Sequence, residues 1–203
     1  AGLYVTRPAS RTIGVLDPAT GRTVGAIAPG DVQGMWPSDV AVLPDGAIFV
    51  ADTAAARVER FTPDGTRQGS WSVGARFGPR SLAVGTWPDG TDVFGTVNFD
   101  GVVEIHDAAT GVLRARWRPQ LPNGRTVVPS GIAIGADSRL FLADASTLEV
   151  HVFDAVEGPL PTPTGPPTPT PTPSVYSCNV VGDKVAGPRQ VVLGRTASVT
   201  LTL

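Results

Sequence analysis

The 203-residue chain has little of what most chemistry requires: one cysteine, one methionine, two histidines and only 6% aromatic residues. With Cys178 alone, neither a disulfide framework nor a thiolate zinc site can form within the chain. Charge is sparse as well, at 17% ionisable residues and a net −2. A phosphate-backbone partner needs clustered Lys and Arg to displace counterions, so nucleic acid is not an expected ligand. Lys184 is the only lysine among 16 basic residues, which reads as a coding bias and not as a function. No apolar run approaches the roughly 18 residues of a membrane helix. No charged n-region with an apolar core opens the chain, so no signal peptide is visible, and the first residues read as the middle of a repeat.

What is abundant is glycine (24) and proline (20), set against 41% hydrophobic residues. Short apolar runs punctuated by turn residues describe an all-β chain able to bury a core. The runs repeat. "GAIFVADTAAARVERFTPDGTRQGSW" from Gly46 recurs as "TDVFGTVNFDGVVEIHDAATGVLRARW" from Thr91 and as "SRLFLADASTLEVHVFDAVEG" from Ser138, and a partial copy opens the chain. Ile13, Val58, Val103 and Val150 are equivalent, at spacings of 45, 45 and 47, and Gly21, Gly65, Gly111 and Gly158 follow. A repeat of that length dictates architecture more strongly than local propensity.

Each complete unit reads as four strands. In the first these are Asp39–Leu43 (a), Ile48–Asp52 (b), Arg57–Phe61 (c) and about Gln68–Ser72 (d), joined by Pro-Asp-Gly turns at 44–46 and 63–65. Proline pre-sets the first turn dihedral, aspartate bonds its own backbone and glycine takes the positive φ. Strands a and b are near-continuous apolar runs, which predicts burial on both faces. Strand c alternates, which predicts one wet face. Those environments fit a propeller blade, sandwiched between neighbours near an axis and wetter at its rim.

The motif carried by Pro37, Val40, Ala41, Val42, Asp45, Gly46, Val50, Ala51, Asp52, Val58, Phe61 and Gly65 resembles the NHL repeat, over roughly residues 1–154. Asn98 and Arg7 replace the strand-b aspartate in two units. The resemblance implies a ring of about six blades. About three and a half are present here, an open part of a β-propeller assigned to 1–157. The last unit ends after strand c. Ring closure would leave that gap if the chain's beginning supplied the final strand, so the remaining blades are expected upstream.

Residues 158–173, "GPLPTPTGPPTPTPTP", read as a polyproline II linker of the kind found in stalks of exported proteins, its threonines offering O-glycan acceptors. Residues 174–203 contain two period-2 strands, Gln190–Leu193 and Ala197–Leu203, around Gly194-Arg195. They resemble the start of an Ig-like sandwich of bacterial surface proteins. An extracellular or cell-surface location is the resulting expectation.

Titratable groups do not converge in the sequence. His106 aligns with Phe61, an inward position, and His151 with Glu59, taken as an outward rim position. Asp45, Asp64, Asp89 and Asp137 are turn residues. Asp52, Asn98 and Asp144 end strand b, where a carboxylate or amide can accept N–H bonds of the next turn. Ligands of propellers meet the axial opening, where loops enter strand a. There Trp36, Asp39, Phe77, Arg80, Val128 and Ser130 are the candidate ligand-facing residues, and protein or carbohydrate is the expected ligand. Related six-bladed lactonases hold a central divalent metal with Glu, Asn and Asp. Here Glu59, Glu104, Glu149 and Glu157 lie in or after strand c, away from the axis. No catalytic residue, metal site or cofactor is expected. A non-catalytic binding or scaffold module is favoured, and the alternative is a lactonase- or lyase-type enzyme with its catalytic groups in blades upstream.

Overall fold

The computed structural model describes residues 2–27, 34–74, 78–121 and 124–154, and the backbone of 196–199. The first sheet is β1 (Leu3–Arg7), β2 (Thr12–Leu16) and β3 (Thr23–Ile27). The second is β4 (Pro37–Val42), β5 (Ile48–Asp52), β6 (Arg57–Phe61) and β7 (Arg67–Ser72). The third is β8 (Pro79–Thr86), β9 (Asp92–Asn98), β10 (Val103–Asp107) and β11 (Leu113–Trp117). The fourth is β12 (Pro129–Ile134), β13 (Arg139–Asp144), β14 (Glu149–Asp154) and β15 (Thr196–Val199). Within every sheet neighbours are antiparallel. β4 packs on β8 and β8 on β12, so the first strands of the complete blades stand side by side. This is an open, partial β-propeller.

Three separate cores lie between four blades, which excludes a two-sheet sandwich. Ile13, Ile27, Met35, Ile48, Val50 and Phe61 fill the first seam. Phe49, Ala51, Val58, Leu82 and Phe94 lead the second, and Val97, Val103, Ile105, Leu140, Leu142 and Phe153 the third. Successive residues of β5 point to opposite faces, so Ile48 and Val50 serve one seam while Phe49 and Ala51 serve the next. At the start of the arc the pattern fails: Leu3 and Val5, equivalent to the buried Ile48 and Val50, are 51% and 37% exposed. The hairpin turns form as their residues dictate. At Leu43–Ala47 the Asp45 carboxylate accepts the Ala47 N–H, with Gly46 at φ +90°.

Wetness is distributed differently from the sequence expectation. β6 and β10 are mostly buried, β4 and β12 are half-buried, and the outer strands β3 and β7 are the exposed ones. Strand c looked half-wet because it carries Glu59 and Glu104, yet both are buried ion-pair members. The outer strand of the fourth blade also requires correction. Thr196–Val199 pairs antiparallel with β14, from Val150↔Val199 to Phe153↔Thr196, so a later segment of the chain, not its beginning, occupies that edge. An unpaired β14 would present a row of free N–H and C=O groups, and any period-2 segment that can reach it relieves that cost. The Thr-Pro linker and the strand expected at Gln190–Leu193 lie outside the described residues.

Each complete blade carries a β-bulge near the start of its first strand, between Pro37 and Asp39, Pro79 and Ser81, and Pro129 and Gly131. The bulged residues are Ser38, Arg80 and Ser130. Just beyond the bulge a polar side chain ties one blade to the next. Asp39 Oδ2 accepts from Leu82 N–H (2.8 Å) and Ser81 Oγ (3.0 Å), and Ser81 Oγ accepts from Ile132 N–H (3.3 Å).

Candidate functional site

The end of the arc where β4, β8 and β12 begin, called the front, is where the candidate residues were expected to meet. There each b strand ends beside the residue that precedes the first strand of its own blade, through Thr53 N–H to Trp36 O (3.1 Å), Phe99 N–H to Gly78 O (3.3 Å) and Ala145 N–H to Val128 O (2.9 Å).

Asp52 Oδ1 accepts the N–H groups of Trp36 (3.0 Å) and Ala55 (3.3 Å), and its Oδ2 meets Arg57 Nε at 3.3 Å. Asp144 Oδ1 accepts from Val128 N–H (3.2 Å), Ser146 N–H (2.8 Å) and Ser146 Oγ (2.7 Å). Asn98 donates through Nδ2 to Glu104 Oε2 at 3.4 Å. All three are buried. Asp39 is committed to the blade-to-blade bonds and to Val40 N–H (2.9 Å), and Ser130 Oγ donates to Ala143 O at 3.2 Å. Phe77 lies outside the described residues.

These b-strand ends form one repeating polar node with the buried residue that follows Val58, Val103 or Val150 in strand c. Glu59 takes Arg57 Nε (2.5 Å) and Arg67 Nε (2.7 Å) in the second blade. Glu104 takes Asn98, Gly74 N–H (2.6 Å) and Arg116 Nε (3.2 Å) in the third. His151 Nε2 lies 3.2 Å from Asp144 Oδ2 in the fourth. In the first blade the guanidinium of Arg7 fills the same space. A Cβ on Gly14 would fall 2.7 Å from Arg7 Cζ, so a side chain there would displace the flexible end of Arg7.

His151 is therefore a fully buried node member and not a rim residue. Glu59 and Phe61, two apart on a strand, share a face, and both sides of strand c are covered. His106 is buried too, stacked on Phe94 at 4.9 Å with Nδ1–H donating to Gly111 O (3.0 Å).

Burial alone would raise the Asp144 carboxyl, but hydrogen bonds from Ser146, Val128 and His151 outweigh it and hold the group down to about 2. A carboxyl depressed in the folded state stabilises above its unfolded value, near 4, and that contribution disappears as pH falls through the folded value. Unfolding free energy is therefore expected to drop between about pH 4 and 2, by on the order of 2 kcal/mol for this group. Asp144→Asn, followed by urea unfolding across that range, should flatten this segment; an unchanged slope would contradict the assignment.

With its carboxylates bonded to backbone and arginine, the front presents apolar surface and a guanidinium. Trp36 is 50%, Phe99 55% and Val128 48% exposed. The Arg80 guanidinium lies over the Phe99 ring, 5.3 Å from its centroid. Phe99 and Arg118 were not singled out from sequence. The available signal was a large aromatic at the place occupied by Thr53 and Ala145 in the neighbouring blades. Among the described residues no three His, Cys, Asp or Glu side chains gather as a metal site, and no helix is long and apolar enough to cross a membrane.

No family model and no curated protein matches the chain in sequence. Solved structures match its fold. The RRP9 WD40 repeats align with a TM-score of 0.57 at 13% identity, over 75% of this chain and 44% of that one. Virginiamycin B lyase from Staphylococcus aureus aligns at 0.58 and 16%, over 80% and 53%. The dihydro-heme d1 dehydrogenase NirN aligns at 0.55 and 16%, over 77% and 33%. The chain thus spans about half or less of these structures, which include a WD40-repeat protein, a lyase and a dehydrogenase, and what it shares with them is the β-propeller fold.

Proposed function

We propose that this chain belongs to a non-catalytic binding or scaffold propeller of NHL type, in an exported or cell-surface bacterial protein, with further blades upstream. One observation carries the reading: the polar residues at the front are engaged in holding turns and blades together, while Trp36, Phe99, Val128 and Arg80 face outward. Such a surface recognises a partner by apolar contact, stacking and ion pairing. The uncovered Leu3 and Val5 support the upstream blades, since the same positions are buried wherever a preceding sheet exists. The recurrent Pro, Asp-Gly and Ala-Asp positions support the NHL type, and the Thr-Pro tract supports export.

The second reading, a lyase-type enzyme whose reacting groups sit in other blades, is favoured by the likeness to virginiamycin B lyase. The complete protein discriminates between them. Saturable binding of a protein or glycan that weakens on changing front residues is the expected result. Turnover of a small substrate with no saturable partner would overturn the binding reading in favour of the enzyme.

A further inference from the structure

We propose that the front of the seam between the third and fourth blades binds an extended acidic peptide segment, one carboxylate on the Arg80 guanidinium and an apolar side chain against Phe99 and Val128. The proposal rests on the binding-module reading and names its partner class.

The bulge provides the first argument. A bulged residue is released from the ladder and its side chain is re-aimed. In the second and fourth blades that residue is serine, and its hydroxyl folds back onto backbone: Ser38 Oγ onto Pro79 O at 3.0 Å, and Ser130 Oγ onto Ala143 O at 3.2 Å. In the third it is Arg80. A guanidinium has five donors in a fork and no acceptor. Arg80 makes no ion pair among the described residues, and its guanidinium lies against the face of Phe99. That contact seats the guanidinium over the ring while leaving its N–H donors for a carboxylate, the pairing a guanidinium fork favours.

The apolar half of the site follows from the residues around it. Phe99 stands beside Gly78, which has no side chain to cover the ring, and the turn that follows abuts the next blade. A Cβ on Gly101 would lie 3.8 Å from Pro129 Cδ, adjacent to the half-exposed Val128.

Charge selects the ligand's sign. At the front, Asp100 is paired with Arg118 (3.2 Å) and Glu149 with Arg125 (3.9 Å), and Asp39, Asp52 and Asp144 are bonded inward, so among the described residues no carboxylate neutralises Arg80. Asp45, Asp64, Asp89 and Asp137 lie at the opposite end, where strands a–b and c–d are joined. At this seam the Arg80 guanidinium is therefore the charge that selects an anion. Sugars are disfavoured by the same inventory, because the Asp39, Ser130 and Asp100 groups that would bond hydroxyls already have partners.

The test is fluorescence anisotropy on the full chain with a labelled peptide of about twelve residues alternating glutamate and leucine, long enough to lie extended across two blades. The glutamine-for-glutamate peptide and oligogalacturonate serve as comparison probes. The acidic peptide should bind at least about tenfold more tightly than its neutral counterpart, and Arg80→Gln or Phe99→Ser should each weaken it about tenfold. Added salt should weaken it further, and Arg22→Gln at the opposite end should leave it unchanged. If Phe99→Ser proves unfolded by circular dichroism, Arg80→Gln decides alone. Equal binding of the two peptides, or indifference to Arg80→Gln, would overturn the site. Binding of oligogalacturonate in place of the peptide would overturn the ligand class and leave the binding-module reading standing. Failure of that reading shows separately, as turnover without a partner in the complete protein.

Discussion

Replacing Phe94 with alanine is expected to destabilise the fold by about 3–5 kcal/mol. Phe94 is fully buried in the seam between the second and third blades. Its ring centroid lies 5.6 Å from Phe49, 5.6 Å from Trp71 and 4.9 Å from His106, the last coplanar within 1°. Removing it takes away the transfer energy of the ring and leaves a void lined by three other rings, which cannot close without moving two β-sheets. Domains of this size have about 5–15 kcal/mol in all, so the loss is a large fraction. Urea unfolding reads it directly. Phe94→Leu, which keeps most of the volume, should cost distinctly less. A loss below about 1 kcal/mol for the alanine variant would mean that the aromatic cluster does not hold the seam.

Gly78→Ala should be comparably damaging for the opposite reason, the addition of one methyl group. A Cβ at this position would fall 2.2 Å from Thr53 O and 2.8 Å from Thr53 C and Cα. All three are backbone atoms of the preceding blade, so no rotamer change relieves the overlap. The blades must separate locally, stretching the bonds from Ser38 Oγ (3.0 Å) and Thr53 Oγ1 (2.6 Å) to Pro79 O and from Leu82 N–H to Asp39. Overpacking of this kind costs about 3 kcal/mol. Chemical denaturation gives the total, and faster amide exchange at Leu82 locates it. Gly131→Ala is the matched control. Its Cβ would meet Ala143 Cβ at an ordinary 3.8 Å, and its stability should stay within about 0.5 kcal/mol of the parent. Equal losses in the two variants would sink the steric account.

Most of the blade was legible because its signals are local. Ile48–Asp52 and Arg57–Phe61 form the strands read from their apolar runs, and the Pro-Asp-Gly segments turn where Asp and Gly can supply a bond and a positive φ. The polar interior was not legible. Glu59, Glu104 and His151 look like surface residues in a one-dimensional pattern, since burial of a charge depends on partners such as Arg67 and Arg116 that arrive from the next strand. Of the ligand-facing candidates, Trp36, Arg80 and Val128 combine a front position with side chains not claimed by another blade. Asp39 and Ser130 occupy that end but are taken up in bonds to neighbouring backbone.

The amino-acid order by itself determined the 45-residue period, the strand–turn rhythm and the greasy b strands, because φ preferences and alternation act within a few residues. Tertiary structure alone decided which side chains remain available. It committed Asp39 to the Leu82 amide, exposed Phe99 beside a glycine and set a bulge under Arg80. It also placed Thr196–Val199 on the edge of β14, some forty residues along the chain from its partner. Each of those outcomes depends on distances between blades, and no spacing within one strand encodes them.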